Sequence, residues 1–494
     1  MGICSFQQRN VVQFQKEIQN FGPQAQPEKF KIRTDIFIPL KQGSIYQFYK
    51  VEKLLRQGEF GDVRLAIHIS TGLKRAIKYV RKDKIGNHLE KNQENPLLEA
   101  NILRELDHPN ILKLYELFQD EQYYYLITEG RGIILYDCKT ETFFSEKMAA
   151  DYMRQILGSI VHCHEKNIVH RDLRPENIIF ESKKPNSNLK IIDFGVSCHF
   201  QNDEFLTKRV GAYYYVSPEN LQQNYNEKCD VWSCGIILYI MLCGFPPFNG
   251  KNDKEILRNV LFGEYEFEPE FWDTISDDAK NLIRKMLNRD FTQQISAKEA
   301  LNDPWIQKNA PMAPCKLKAI KNLHSFYCKN KVRAGLMQFI TTNLMTNEEK
   351  EVLLKEFRKI DKDGNGKISK EDLVLGKNKI IIVYMEKYND IKANQLVDDF
   401  FERLDTNKSG IVDYTEFITA AVDEKKLLNK FRLQQAFKMF DLNGDGYINK
   451  DDFKEISGGS NENLWNEILA LGDQNSDGQL SKQEFIDILV KKYN

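Results

Sequence analysis

No stretch of this 494-residue sequence is long and apolar enough to cross a bilayer; the longest candidate, residues 231–243, is too short and too polar. No basic run is long enough to suggest contact with DNA or RNA, so nucleic acid is not an expected partner. Cysteine pairing is missing too. The nine cysteines are scattered, odd in number and without a CxxC pair, which points to free thiols in a reducing, cytoplasmic compartment. No secretory signal is recognisable. The net charge of −1 is the cancellation of two unequal parts. From residue 341 onward there are 29 acidic and 23 basic side chains, net −6; the remainder carries 42 acidic and 47 basic, net +5. An acidic end beside a basic body suits cation binding. With 41% hydrophobic residues, the chain has material for packed cores and length for two or three domains.

Residues 1–45 are rich in Gln and lack periodicity, and are expected to form a variable, largely disordered arm. The opening Met1-Gly2-Ile3-Cys4-Ser5-Phe6 makes Gly2 a candidate for myristoylation and Cys4 for palmitoylation, which together would attach the chain to a membrane. The motif wants Ser or Thr where Phe6 stands, so a plain cytoplasmic N-terminus is the competing expectation.

The chemistry starts at His170-Arg171-Asp172-Leu173-Arg174-Pro175-Glu176-Asn177. An Asp followed five residues later by an Asn can divide two tasks of phosphoryl transfer. The Asp accepts the proton of an attacking hydroxyl, and the Asn helps hold magnesium on the nucleotide. Asp193-Phe194-Gly195 supplies a second magnesium carboxylate. Upstream, Leu55, Gly58, Gly61 and Val63 fall in a hairpin whose glycines let backbone N–H groups approach phosphate. Ala76-Ile77-Lys78 ends an alternating stretch, and Glu99, on a helix, is the expected ion-pair partner of Lys78.

In this order the motifs resemble a protein kinase, over residues 46–306. The resemblance implies that ATP is the phosphate donor, that Lys78 bridges its α- and β-phosphates, and that Arg174 stands near the transferred phosphate. It implies that Thr128 is the gatekeeper and that Glu129-Gly130 is the hinge whose backbone binds adenine. It also implies an activation segment from Asp193 to Ser217-Pro218-Glu219, and a buried helix beginning near Asp230 that braces the catalytic loop. Within that segment Asp203 and Glu204 are either fixed carboxylate partners for Arg171, replacing a phosphate, or unpaired surface acids. His108, in Asp107-His108-Pro109-Asn110, is expected to be a packed loop histidine. Four residues depart from the family pattern: Arg56 for the first loop glycine, Arg174 for a lysine, Ala212 for a threonine that bonds the catalytic Asp, and Gln294 for an arginine that pairs with Glu219. Arg174 keeps the charge but changes donor geometry. After the hinge stands Arg131-Gly132 rather than an acid, which leaves Glu176 to meet a basic substrate. Lys78, Glu99, Asp172, Asn177 and Asp193 are all present, so transfer is expected; a calcium-sensing pseudokinase or scaffold is the alternative.

Residues 307–346 form a junction. Pro311 and Pro314 punctuate its start. Lys316, Lys318, Lys321, Lys329, Lys331 and Arg333 interleave with apolar residues, and Val332, Leu336, Phe339, Ile340 and Leu344 share one helical face. A basic amphipathic helix has the shape of a calmodulin target and of an autoinhibitor, or of a helix packed on the following domain.

Residues 347–494 hold four twelve-residue loops of the form D-x-[DNS]-x-[DNS]-G, which place oxygen ligands for calcium at alternate positions. The first offers Asp361, Asp363, Asn365, the carbonyl of Lys367, Ser369 and Asp372. The second offers Asp405, Asn407, Ser409, the carbonyl of Ile411, Asp413 and Glu416. The third offers Asp441, Asn443, Asp445, the carbonyl of Tyr447, Asn449 and Asp452. The fourth offers Asp473, Asn475, Asp477, the carbonyl of Gln479, Ser481 and Glu484. The second and fourth end in Glu, which reaches calcium with both oxygens. The first and third end in the shorter Asp, so each pair should hold one stronger and one weaker loop. The eighth residues, Ile368, Val412, Ile448 and Leu480, should pair the loops two by two.

Kinase, junction and four EF-hand loops in this order resemble the calcium-dependent protein kinases of plants and protists. The resemblance implies an α+β bilobal kinase fold followed by an all-α calmodulin-like domain, with ATP, Mg2+ and Ca2+ as cofactors. It implies a monomer that phosphorylates Ser or Thr on protein substrates. Without calcium the junction would block or distort the substrate cleft; with calcium the EF-hands would take up the junction and clear it.

Overall fold

The structure, a computed structural model, describes residues 38–57, 61–83, 96–130, 133–134, 144–182, 187–201, 204–310, 331–375, 398, 401–457 and 462–490. Gly2, Cys4, Gly58, Asp203 and the lysines at 316, 318, 321 and 329 lie outside these residues. The N-terminal lobe is a six-stranded sheet in the order Leu40–Gln42, Leu114–Gln119, Tyr123–Glu129, Lys74–Arg81, Asp62–His68, Tyr49–Gln57. The central strands are rich in β-branched and aromatic residues, which suit a pleated, half-buried surface. Lys74–Arg81 turns Ala76, Ile77 and Val80 into the core. Register places Lys78 opposite Val63 on one side and Leu126 on the other, and Ala76 opposite Thr128.

The expected boundary at residue 46 falls inside this sheet. Leu40–Gln42 adds a parallel strand to Leu114–Gln119, and Ile45 is fully buried. The apolar residues Ile38, Leu40 and Ile45 cover an edge that would otherwise expose unpaired backbone groups. Glu99 rides on the helix Pro96–Glu105, whose Ala100, Ile102 and Leu103 bury against the lobe.

The second lobe is helical. Glu146–Glu165 starts at the Ser145 cap and buries Ala149, Met153, Ile156, Leu157 and Ile160, spaced three and four apart on one face. Lys228–Cys243 is apolar nearly all round, and every residue from Cys229 to Cys243 is buried, as for a helix through the middle of a lobe. It stops at Gly244, whose φ of +94° suits the left-handed residue that closes a helix.

Past the catalytic body, the junction helix Lys331–Leu344 lies among Asn347–Ile360, Tyr414–Ala421, Lys430–Phe440, Glu462–Gly472 and Lys482–Val490. Val332, Leu336, Met337, Phe339, Ile340 and Leu344 join the same core as Phe357, Phe417, Phe440 and Phe485. Burying six such side chains is worth on the order of 10 kcal/mol before ordering costs. Two short antiparallel ladders join the calcium loops in pairs: Ile368 faces Val412, and Ile448 faces Leu480.

Candidate active site and calcium loops

Lys78, Glu99, Asp172, Asn177 and Asp193 come from four separate segments and meet in one cleft. Lys78 Nζ stands 2.9 Å from Glu99 Oε2 and 2.9 Å from Asp193 Oδ1. Asp193 is held below the usual carboxylate range, chiefly by the Lys78 charge. Glu99 is almost fully buried, and burial raises its pKa despite Lys78 beside it. Gly61 bends under the roof where a side chain would run into the Tyr79 carbonyl.

On the floor, Asn177 Nδ2 donates to Asp172 O and to Asp172 Oδ2, both at 2.9 Å. Burial raises the Asp172 pKa, an effect opposed by the charges of His170 and Arg174. The amide of Asn177 is thereby fixed with its Oδ1 buried and without a hydrogen-bond partner among the described residues. A buried oxygen without a partner, near the Asp193 carboxylate, fits a magnesium ligand.

The catalytic loop is held from below by Asp230. His170 N donates to its Oδ2 at 2.8 Å, Arg171 N to its Oδ1 at 2.8 Å, and His164 Nε2 lies 3.0 Å from Oδ2. Burial would raise the Asp230 pKa, but these bonds and histidine charges hold it below the usual range. Arg171 and Asp193 both sit in the left-handed region, at φ +70° and +68°. Such strain persists only where surrounding contacts over-determine it.

Two open readings are narrowed here, and one departure shows its effect. Arg171 was a candidate partner for the carboxylates of Asp203 and Glu204. Its side chain instead donates to Val196 O at 2.7 Å and to Tyr225 Oη at 3.3 Å, while Glu204 is exposed. Glu176, the acid left for a basic substrate, is engaged internally: Arg174 Nε lies 3.0 Å from its Oε2, and Arg56 Nη1 donates to its backbone O at 3.5 Å. The departure at Arg56 thus puts a cation between the roof and the catalytic loop. Glu219 lacks the cation that an arginine in place of Gln294 would supply. It is buried with Oε1 unpartnered among the described residues, and burial raises its pKa. Gln294 donates to Met286 O at 2.6 Å.

At the hinge, Thr128 is buried, and the Glu129 side chain points away to Lys190 Nζ at 2.9 Å and Lys113 N at 3.1 Å. Those bonds engage only the side chain and leave the Glu129 backbone groups out of account. Leu55 is exposed at the cleft mouth.

In the calcium loops, the first and last acids converge on backbone N–H groups of their own loops. Asp361 accepts from Gly364 N and Gly366 N at 2.8 and 2.9 Å, and Asp372 from Lys362 N and Ser369 N at 3.0 and 2.8 Å. Asp405 accepts from Ser409 N and Gly410 N, both at 2.8 Å, and Glu416 from Asn407 N and Asp413 N, both at 3.1 Å. Asp441 and Asp473 accept likewise from Gly446 N and Gly478 N, Asp452 from Leu442 N and Asn449 N, and Glu484 from Gln474 N and Ser481 N. Asn407 Oδ1 and Asp441 Oδ1 are buried oxygens with no partner among the described residues, which fits inward-facing calcium ligands. The remaining donors, Asp363, Asn365, Ser409, Asn443, Asp445, Asn475 and Asp477, lie on the same loops, as do the residues whose carbonyls were expected to ligate, Lys367, Ile411, Tyr447 and Gln479.

One contact surface carried no sequence signal. The first pair of loops packs against the catalytic body on the turn at residues 107–110. Thr415 N and Oγ1 donate to Asp107 at 3.0 and 2.9 Å. Arg358 Nη2 donates to Asn110 Oδ1 and Gln155 Oε1 at 3.3 and 3.0 Å. Lys367 Nζ pairs with Glu165 Oε2 at 3.0 Å. A Cβ on Gly158 would overlap the Gly364 carbonyl, and one on Gly366 would overlap the His108 ring. His108 is packed as expected, yet what packs it is a calcium loop.

Comparison with known proteins agrees with this geometry. Residues 49–306 match the protein kinase domain model, and residues 339–422 and 430–490 match the EF-hand domain pair model. The chain is 37% identical over 479 residues to "Calcium-dependent protein kinase 4" of Plasmodium falciparum, covering 94% of this chain and 90% of the relative. It is 36% identical over 479 residues to the protein of that name in Plasmodium berghei, with the same coverage. It is 33% identical over 472 residues to "Calcium-dependent protein kinase 5" of Plasmodium falciparum, covering 92% of this chain and 80% of the relative. A kinase cleft with its charged groups assembled, paired EF-hand loops, and relatives matched across nearly the whole chain lead to one conclusion: this chain belongs to the calcium-dependent protein kinases, calcium-activated enzymes that phosphorylate serine and threonine.

Proposed function

We propose that the junction helix is the element exchanged between the two states of the enzyme. Calcium favours the state in which Lys331–Leu344 is held by the EF-hand helices and the cleft is open to protein substrate. The reading rests on one observation: the apolar face of that helix is buried in the EF-hand core, away from Lys78, Asp172 and Asp193. Calcium must therefore bind this arrangement better than one in which the helix engages the cleft.

In the open cleft, Asp172 accepts the proton of the substrate hydroxyl as its oxygen bonds to the γ-phosphorus and ADP leaves. Asn177 orients Asp172. Lys78, positioned by Glu99, holds the α- and β-phosphates, and Arg174 faces the charge on the transferred group. Thr128 and the hinge backbone at Glu129 receive the adenine, and Leu55, Gly58, Gly61, Val63 and Ala76 enclose it with its phosphates. Asn177 and Asp193 would hold magnesium, which when bound neutralises phosphate charge. Membrane association through acylated Gly2 and Cys4 belongs to the same proposal, with the cytoplasmic face as its site.

The test is ATP-dependent phosphorylation of a generic Ser/Thr substrate with calcium and with chelator, using Asp172→Ala as control. Transfer stimulated by calcium and abolished in the control is the expected result. Equal activity with and without calcium sinks the exchange of the junction helix, and no transfer at all sinks the assignment of Asp172.

A further inference from the structure

The activation segment is pinned at alternate residues by uncharged groups. Leu206 N donates to Tyr225 O at 2.7 Å, and Tyr225 N to Leu206 O at 3.2 Å. Tyr225 Oη donates to Lys208 O at 2.6 Å. Asn220 Nδ2 donates to Val210 O at 3.2 Å, and Val210 N to Asn220 Oδ1 at 3.4 Å. The positions 206, 208 and 210 keep the two-residue period of an extended chain. Gly211 follows at φ +103°, with its backbone so close to the catalytic loop that a Cβ would stand 2.8 Å from Arg171 O.

Tyr225 is the centre of this arrangement. Its ring is fully buried with Val169, Phe200 and Cys229. Its hydroxyl accepts from Arg171 Nη1 at 3.3 Å while it donates to Lys208 O. Burial pushes that hydroxyl up to about 12, so it remains a donor throughout the working range. Arg171 directly precedes Asp172. Its backbone N–H is taken by Asp230 and its Nε by Val196 O, so its described side-chain partners are a carbonyl and a hydroxyl rather than an acid.

We propose that Tyr225 is a positioning residue for phosphoryl transfer: its hydroxyl ties Arg171, and with it the catalytic loop, to the activation segment, and together with Asn220 it forms a latch that holds the segment in working shape without a phosphate. The inference rests on the kinase reading above. Each neutral bond contributes only about 1 kcal/mol. Five of them along five residues are enough to hold a short segment whose misplacement by about 1 Å would cost on the order of a hundredfold in rate.

Tyr225→Phe keeps the buried ring and removes both bonds of the hydroxyl. With the full chain in saturating calcium, kcat should fall about ten- to hundredfold. KM for ATP and half-activating calcium should stay within about twofold, a split that general destabilisation does not give. Trypsin should cut faster after the exposed Lys208 and Arg209. A kcat within about twofold of the parent overturns the proposal. If a melt shows Tyr225→Phe to be unfolded, Asn220→Ala releases the Val210 rung and is read in the same way. The parent treated with phosphatase, its segment verified as unphosphorylated by mass spectrometry, should retain its activity. Loss of activity on that treatment, regained on rephosphorylation of the segment, also overturns the latch. A parent with no transfer under any condition would instead mean that the kinase reading has failed, and the latch with it.

Discussion

The two EF-hand pairs carry one motif in two settings. The first pair leans on the catalytic body. Asp361 and Asp372 are buried, Gly364 and Gly366 abut Gly158 and His108, and Thr415 is bonded to Asp107. In the second pair, Gly444, Gly446 and Gly478 all face open space, as Gly410 alone does in the first. The acids differ accordingly. Burial raises Asp361 well above the usual range, raises Asp363, and pushes Glu416 up to about 8. In the second pair burial also raises Asp452, but Glu484 ends below its ordinary value because its bonds to Ser481, Gln474 and Asn475 together outweigh burial. The twelfth ligand is expected to rank loops within a pair, and the setting should rank the pairs. A calcium loop whose backbone is also an interface has a direct route to the kinase.

The largest expected effect separates the pairs directly. Glu416→Gln should raise half-activating calcium on the order of a hundredfold, whereas Glu484→Gln should raise it only about threefold. Calcium titration of kinase activity measures both, and equal shifts would break the comparison.

Gly158→Ala places a methyl group against the Gly364 carbonyl at a cost of about 2 kcal/mol. Calcium stimulation should fall about thirtyfold while activity in chelator is unchanged. Unaltered stimulation would mean that the docked surface is not used.

Acid should cost stability at the two histidines buried where the first pair meets the catalytic body. Burial holds both His108 and His162 well below the ordinary histidine value. They are neutral in both states at pH 7, so nothing changes there. As pH falls below about 6.5, the unfolded chain takes up protons that the folded chain refuses, and stability drops by roughly 1 kcal/mol per histidine for each unit. Melting curves between pH 7 and 5.5, compared with those of a variant carrying His108→Gln, check this.

The smallest effect concerns the rim. The Lys367–Glu165 pair is partly exposed, so Lys367→Ala should cost less than about 1 kcal/mol and move half-activating calcium by no more than about twofold.

What the sequence made legible follows from distance along the chain. Asp172 and Asn177 are five residues apart, so their place in one loop was legible from spacing. The calcium ligands are fixed by alternation within twelve residues, and their pairing by Ile368, Val412, Ile448 and Leu480. The apolar face of the junction helix was equally plain, but its seat was not, because amphipathicity says that a face is buried and not against what. The Asp107–Thr415 contact spans 308 residues and uses ordinary side chains, so no local pattern announces it. Arg171 was left open for a related reason. The acids at 203 and 204 allowed an ion pair or none, and the neutral partner the structure supplies is a buried tyrosine 54 residues on.

Gly158 carries a consequence for how this protein can change over time. A glycine inside Glu146–Glu165 weakens that helix by about 1 kcal/mol relative to alanine. A free-standing catalytic domain would gain by the replacement, while the full chain would lose its closest fit to the first calcium loop. Selection for a sturdier kinase and selection for an obedient one therefore pull this position in opposite directions. Where the regulatory half is lost from a lineage, residue 158 is among the first places where drift toward alanine should be found.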